Sequence, residues 1–442
     1  MINYIGIFMC CVLLVLGILT EKKILNPITI FYGLWAVILE LSSLQLFDLK
    51  ETSDRTYYFI LIGLIAYGIG YYLLLICTRK HLFRSKYASY LNKRKVDRDY
   101  VLRYRLLYFL GGISLLFYLR DLSIVFSYIL NGSSLAYIRQ LAQDSSSILY
   151  ADRSAIENSI RVVFITPFVM ALQPITAVDF WIGKRDRKLL VINIFIIVLR
   201  IITDGSRIVL VYLLLHLLVA SIFTDRTDIK QIITSGKNRK RRNKKLFIVL
   251  ILIVGGVAIY RTTLSRSGVN FLRYAYYYFS MEPYMFETWC EIAGNSGLVG
   301  YGFASTNGFW FTIFYLIKNL LSLSSYPQYW YDIYSLIQAT DSQWQIIAGN
   351  ATTANAYVSV FWFLYLDGRI AGIVIGMFVY GMISARVFIL ALKQSSSKNV
   401  CVYSMILQGI CFSFVRLQFA DVYYAIAFTF ILLFIYKPIN KK

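Results

Sequence analysis

The chain has 442 residues, of which 58% are hydrophobic and 15% charged, and its mean hydropathy is +0.61. So continuous an apolar sequence excludes a water-soluble globule and makes the bilayer the main solvent. The formal net charge of +22 does not mark a nucleic-acid binder, because the lysines and arginines gather in a few short segments between apolar runs, as cytoplasmic loops require.

The N-terminus lacks the basic region of a cleaved signal peptide and leads straight into the apolar residues 5–19, which read as a retained first span. Apolar runs of about 15 to 23 residues stand at 4–20, 27–47, 57–77, 104–119, 160–182, 189–204, 207–223, 246–260, 370–392, 400–416 and 420–436. They predict an all-α polytopic membrane protein of about eleven transmembrane helices. Residues 1–260 would hold spans one to eight, 261–369 a large outer loop, and 370–442 spans nine to eleven. The basic segments 79–105, 184–188 and 226–245, with Lys437, Lys441 and Lys442, then all fall on one side. That places the N-terminus outside and the C-terminus in the cytoplasm.

Within the large loop, residues 309–321 are apolar over a length that suits an interfacial helix better than a span. Of Cys10, Cys11, Cys77, Cys290, Cys401 and Cys411, only Cys290 lies outside the membrane core on the oxidising side. Neither a disulfide framework nor a zinc spacing follows.

Arg200, Asp204 and Arg207 stand at i, i+4 and i+7, so a helix aligns them on one face near the outer end of the sixth span. Charges at that depth must pair or face a wet cavity. They form either a neutralised cluster fixing helix packing or a cationic wall for an anionic ligand. Past the eighth span come Arg261, Arg266 and Arg273, followed by Tyr274, Tyr276, Tyr277, Tyr278 and Phe279. Interfacial anchoring explains such a run. A diphosphate site with sugar-stacking tyrosines explains it equally, since arginine stays charged and binds phosphate oxygens bidentately.

The acids Glu282, Glu287, Glu291, Asp332, Asp341 and Asp367 in the large loop are candidate proton acceptors. His81 and His216 both fall away from the outer regions, which excludes an external imidazole base. The one Asp-x-Asp, Asp97 and Asp99, sits in a basic linker, and phosphate-binding and dinucleotide fingerprints are absent. No metal site or cofactor is expected.

Three passages carry a resemblance to a known family. Asp204-Gly205-Ser206-Arg207 opens a span, and Thr262-Thr263-Leu264-Ser265-Arg266-Ser267 starts the large loop. Asn355-Ala356-Tyr357 leads through Tyr365-Leu366-Asp367-Gly368 to Gly372 and Tyr380-Gly381. In order and topology the chain resembles the bacterial oligosaccharide repeat-unit polymerases, the Wzy-type O-antigen and capsule polymerases, with Leu366-Asp367-Gly368-Arg369 departing from the expected Asp-Phe-Gly pattern.

The resemblance implies a C-type glycosyltransferase of the bacterial cytoplasmic membrane, working without a metal on sugars carried by undecaprenyl diphosphate. A sugar hydroxyl on one lipid-linked repeat unit would attack the anomeric carbon of the growing chain and expel undecaprenyl diphosphate. It implies Arg207, Arg266 and Arg273 as diphosphate contacts, with Arg200, Arg261 and Arg416 in support. Glu282 or Asp367 would act as base or orient the acceptor, Tyr276 and Tyr277 would stack on sugar, and Asn355 would hydrogen-bond it. Chain-length regulators and a flippase are the implied protein partners.

An O-antigen ligase shares the architecture but would call for an outer-loop histidine. A flippase or other transporter would call for a polar path and repeat symmetry, and a partner-recruiting assembly subunit is the purely structural reading. Topology is testable first. In a background without reactive native thiols, Cys290 above all, cysteines at Ser235 and Ser397 are expected to be shielded from an impermeant thiol reagent in intact cells, and one at Ser305 labelled. Labelling at Ser235 overturns the orientation.

Overall fold

The computed structural model describes residues 2–21, 25–84, 100–133, 137–138, 141, 153–204, 208–223, 271–349, 351–394 and 396–438. The expected span at 246–260 lies outside them. The described chain is predominantly α-helical, with two short antiparallel strand pairs that hydrophobic periodicity does not announce. It divides into two compact units that interleave along the sequence, the first holding Met1–Asp97, Leu272–Ser395 and Met405–Phe428, the second the remainder.

In the first unit, α1 (Ile2–Glu21) and α2 (Pro27–Ser43) form a hairpin. Asn26 starts α2 by accepting the Thr29 N–H at 2.8 Å, with Pro27 supplying helix-ready φ at the first position. The buried Asn26 amide also donates to the Gly17 carbonyl at 3.2 Å, tying the cap to α1. A long helix α3 (Asp54–Arg84) follows.

The second unit contains β1 (Tyr100–Leu102), α4 (Tyr104–Leu130), a short α5 (Ala155–Ile160), a π-turn (Arg161–Ile165), α6 (Thr166–Trp181), α7 (Arg187–Asp204) and α8 (Ile208–Ile222). The expected large loop then supplies α9 (Phe271–Ser280), α10 (Glu282–Ser296), α11 (Asn307–Leu320), α12 (Gln328–Ser342) and the paired strands β2 (Gln345–Ala348) and β3 (Thr352–Ala354) to the first unit. The helix α11 covers the segment expected to lie at an interface, and it leaves Ile313, Leu316, Ile317 and Leu320 exposed along its length. Then come α13 (Ser359–Lys393), α14 (Ser397–Cys411), α15 (Val422–Leu433) and β4 (Tyr436–Pro438), which pairs with β1.

Among the described residues, five helices are long and apolar enough to cross a bilayer: Ile2–Glu21, Asp54–Thr78, Tyr104–Leu130, Ile156–Trp181 and Ser359–Lys393. The apolar helices Pro27–Ser43, Ile208–Ile222 and Val422–Leu433 are shorter than the roughly 20 residues a straight crossing needs. Large apolar side chains such as Phe8, Phe109, Leu116 and Val191 point outward, as lipid-facing positions do.

Two element boundaries differ from the hydropathy reading for one reason. α13 begins at Ser359 instead of 370, and α4 continues to Leu130 instead of ending at 119. At both places charged residues interrupt the apolar run, and the tertiary structure supplies them with partners. Asp367 accepts N–H bonds from Ala304 and Ser305, Arg369 donates to two carbonyls, and Asp121 pairs with Arg153 and Arg161. A charge so satisfied no longer ends a buried helix.

α3 and α13 form the central contact of the first unit, and they meet backbone against backbone. A β-carbon on Gly70 would fall onto the Phe378 carbonyl, and one on Gly381 onto the Tyr67 carbonyl. Small residues at such a crossing let helix axes approach and gain dispersion contact where lipid offers no hydrophobic drive. Around it Phe31 and Tyr67 sit at 4.0 Å between ring centroids, and the Tyr32 hydroxyl donates to the Leu64 carbonyl at 2.7 Å.

Gly70→Leu and Gly381→Leu are each expected to lower stability by about 1–3 kcal/mol or more, through forced separation of the helices. Gly112→Leu, where a β-carbon meets nothing within 4 Å, serves as control. Thermal unfolding in detergent checks this, and an unchanged midpoint for Gly381→Leu would refute the close contact.

Candidate functional site

The residues between β3 and α13 cross the segment 413–416, and this crossing gathers several of the candidate side chains. Val358 and Ser359 both donate to the Val415 carbonyl, at 3.1 and 3.2 Å, and Val360 donates to the Ser413 carbonyl at 2.7 Å. To make the crossing, Ala356 and Ser359 adopt φ of 68° and 63°, which costs about 1–2 kcal/mol for a residue with a β-carbon. Backbone strain of this kind persists where the surroundings over-determine it, and it concentrates at functional sites.

On one side of the crossing, half-buried Arg416 forms an ion pair with Asp341 near the end of α12. The Asn355 amide donates to the Asp341 carbonyl. The Tyr357 ring lies 5.7 Å from that of Tyr278 and 5.9 Å from that of Phe414. Arg416, Asn355 and an aromatic wall thus come from three separated stretches of sequence. Tyr278, 43% exposed, is the accessible ring of the Tyr-rich helix α9.

Glu282 is coupled to the crossing through Ser359. It is the first residue of α10, fully buried, and neither carboxylate oxygen has a hydrogen-bond partner among the described residues. Burial pushes its pKa from 4.5 up to about 8, against a smaller opposite pull from the Ser359 hydroxyl. The group is therefore mostly protonated at neutral pH, with a pKa in the range where a general acid or base works best.

Tyr276 and Tyr277 serve the fold. The Tyr276 hydroxyl donates to the Leu41 carbonyl at 2.8 Å and accepts the Leu46 N–H at 2.9 Å, while the Tyr277 hydroxyl donates to the Phe47 carbonyl at 2.6 Å. Their rings are 8% and 3% exposed, so they clamp the turn after α2 and present no open face for a sugar to stack on. Arg273 joins this clamp, donating to the Tyr277 hydroxyl at 3.0 Å with its guanidinium 5.5 Å from that ring's centroid.

Asp367 likewise has its carboxylate committed: the backbone N–H groups of Ala304 and Ser305 reach its two oxygens at 2.9 Å each. The next residues bend α13, with Arg369 at φ 55° donating to the Ala293 and Leu298 carbonyls at 3.1 and 2.8 Å. The bend is tight enough that a β-carbon on Gly372 would strike the Leu364 carbonyl. The Tyr365-to-Gly381 motif thus carries a bend and a helix crossing, with Asp367 positioning the loop at 300–306 and touching no open space of its own.

The second unit holds a separate charge cluster. Arg200 pairs with Asp204 at 3.4 Å, Asp204 with Arg161 at 3.2 Å, Arg161 with Asp121 at 2.8 Å, and Asp121 with Arg153. The π-turn that begins at Arg161 aims this side chain between the two aspartates, a use of extra helical turn common at functional positions. The i, i+4 pair of Arg200 and Asp204 is legible in the sequence. Asp121, Arg153 and Arg161 are not, because α4 was expected to end before Asp121 and Arg153 lies in a loop. Arg207, Arg261 and Arg266 lie outside the described residues. No group of three or more His, Cys, Asp or Glu side chains among the described residues is placed to hold a metal ion.

Glu282 yields a pH test. A carboxyl whose pKa is higher folded than unfolded contributes stability that is present below its unfolded value of 4.5 and is lost as pH rises through about 8. Glu282→Gln keeps shape and removes the titration. The variant's melting temperature in detergent is expected to gain on the native protein's by several degrees between about pH 5 and pH 8, and parallel curves would show that the carboxyl is not buried.

Compared with protein-family models, with curated proteins and with solved structures, the chain matches none.

Proposed function

We propose that the protein is a membrane glycosyltransferase that joins undecaprenyl-diphosphate-linked repeat units into O-antigen or capsular polysaccharide, as a member of the Wzy-type polymerases. The observation that carries this reading is the convergence of Arg416, Asn355 and Glu282 on the strained crossing at residues 355–360. Each of the three suits a different part of the chemistry that a metal-free transfer from a lipid diphosphate requires. In this reading the crossing lies on the outer side of the bacterial cytoplasmic membrane, with the N-terminus outside and the C-terminus inside.

The acceptor hydroxyl attacks the anomeric carbon, the bond to the diphosphate oxygen breaks, and the hydroxyl proton passes to a carboxylate. Glu282, in its ionised form, is our choice of acceptor for that proton. Arg416 and, from the sequence, Arg207, Arg261 and Arg266 stabilise the departing diphosphate, doing with guanidinium groups what other enzymes do with a cation. Arg273 and Asp367 support the site through the turns they hold. Chain-length regulators and a flippase complete the expected assembly.

The ion-pair chain from Arg153 to Arg200 favours one other reading, a transporter, because paired charges among bilayer-length helices commonly line a translocation path. Purified protein given a synthetic undecaprenyl-diphosphate repeat unit separates the two. A ladder of products, formed in the presence of a chelator, supports the polymerase, and its absence with intact binding to liposomes overturns it. In that assay Arg207→Ala and Arg416→Ala are each expected to slow polymerisation about a hundredfold, or about 3 kcal/mol. Arg207→Lys should lose much of the rate as well, because an ammonium lacks the planar two-donor fork.

A further inference from the structure

The first unit contains a polar cavity whose lining shares no residue with the crossing just described. It measures about 440 Å3 and is lined by the start of α3 and one side of α10, with Tyr365 closing it. That volume lies within the range of small-molecule sites, about 300–1,000 Å3. Its chemistry is mixed. Glu287, Glu291 and Asn295 offer acceptors and an amide, Arg55, Ser53 and Thr56 offer donors, and Phe59 and Tyr365, buried and stacked on each other at 5.9 Å with 27° between planes, form the floor beneath them.

The arrangement is held by contacts among the lining residues and by Arg369 behind them. One Glu287 oxygen accepts the Ser53 N–H at 2.9 Å, fixing the start of α3 against α10. The Arg55 guanidinium lies 5.3 Å from the Phe59 centroid, and that of Arg369 lies 5.1 Å from the Tyr365 centroid. Each ring is therefore backed by a cation and oriented before any ligand arrives. Glu291 and Asn295, one helical turn apart on α10, are exposed and keep their polar groups available to the cavity.

We infer that this cavity binds one or two sugar rings of the acceptor saccharide, in addition to the site at the crossing. A pyranose presents both an apolar C–H face and a rim of vicinal hydroxyls. The carboxylate, amide, hydroxyl and guanidinium groups at the cavity's edge match the second of these features, accepting from and donating to the hydroxyls. Two carboxylates against one guanidinium favour neutral or amino sugars over uronic acids. The inference rests on the polymerase reading for the source of the saccharide, while the cavity's preference for such a ligand stands on its own lining.

The test uses full-length protein in detergent and, as probe, the oligosaccharide released by mild acid from the producing cell's own lipid-linked repeat unit. Gly294→Cys places a thiol on the cavity wall, where a β-carbon meets nothing within 4 Å. Ser324→Cys gives an exposed thiol outside the lining. In a background with Cys11, Cys77 and Cys411 changed to serine and the cavity-lining Cys290 to alanine, saturating oligosaccharide is expected to slow maleimide labelling of Gly294→Cys at least fivefold and leave Ser324→Cys unchanged. Adding Glu291→Gln and Asn295→Ala, both surface changes, should abolish the protection without altering elution as a folded monodisperse species.

A protein that builds polymer yet shows no protection at Gly294→Cys overturns the cavity inference and leaves the polymerase reading intact. Protection without any polymerising activity does the reverse. Protection that survives the Glu291→Gln, Asn295→Ala pair also counts against the cavity, because binding would then occur elsewhere.

Discussion

The first unit depends on how closely α3 and α13 approach. Glycines at 70 and 381 bring each helix onto a carbonyl of the other, and in a lipid environment that contact must come from dispersion between well-fitted surfaces. α13 is also the helix that carries the bend at Gly368 and Arg369 and the strained start at Ser359. Fixing its shaft against α3 is what allows its upper end to depart from regular geometry. The start of α3, in turn, forms one wall of the polar cavity.

A second constraint runs through both units: charged residues inside apolar stretches are kept where folding supplies partners. In the first unit Asp367 takes backbone N–H groups from residues 304 and 305, and Arg369 takes carbonyls at the end of α10. In the second, Asp121 and Asp204 link three arginines, one from the loop before α5, one from the π-turn and one from α7. Glu282 is the contrast. It is as buried as any of these, yet among the described residues only the Ser359 hydroxyl acts on it, without closing a hydrogen bond, and its response is to hold a proton. A buried acid in that state is costly to the fold, which is why its place beside the crossing weighs in favour of a chemical role.

Backbone strain, the unpaired acid and the accessible aromatic Tyr278 all lie in segments the sequence presents as one long loop. Folded, that loop is a set of helices within the first unit, of which α10 packs against α2, α3 and α13. The two kinds of site in the first unit differ accordingly. The crossing at 355–360 is strained and flanked by the Arg416–Asp341 ion pair, whereas the cavity between α3 and α10 is lined by polar side chains from two helices.

The sequence by itself determined that the chain is helical and apolar enough for a bilayer, where most helices lie, and that residues 309–321 form a separate helix, because continuous hydrophobicity needs no tertiary information. It also determined the Arg200–Asp204 pair, since i, i+4 spacing is local. It could not decide which tyrosines of α9 face inward. Tyr276 and Tyr277 differ from Tyr278 only in which neighbour their helix meets, and the turn after α2 supplies that neighbour. Nor could it separate Asp367, whose oxygens are filled by a loop sixty residues earlier, from Glu282, whose oxygens close no hydrogen bond among the described residues. Both are acids in apolar surroundings, and hydrogen-bond partners brought from distant sequence are what the tertiary structure alone decides.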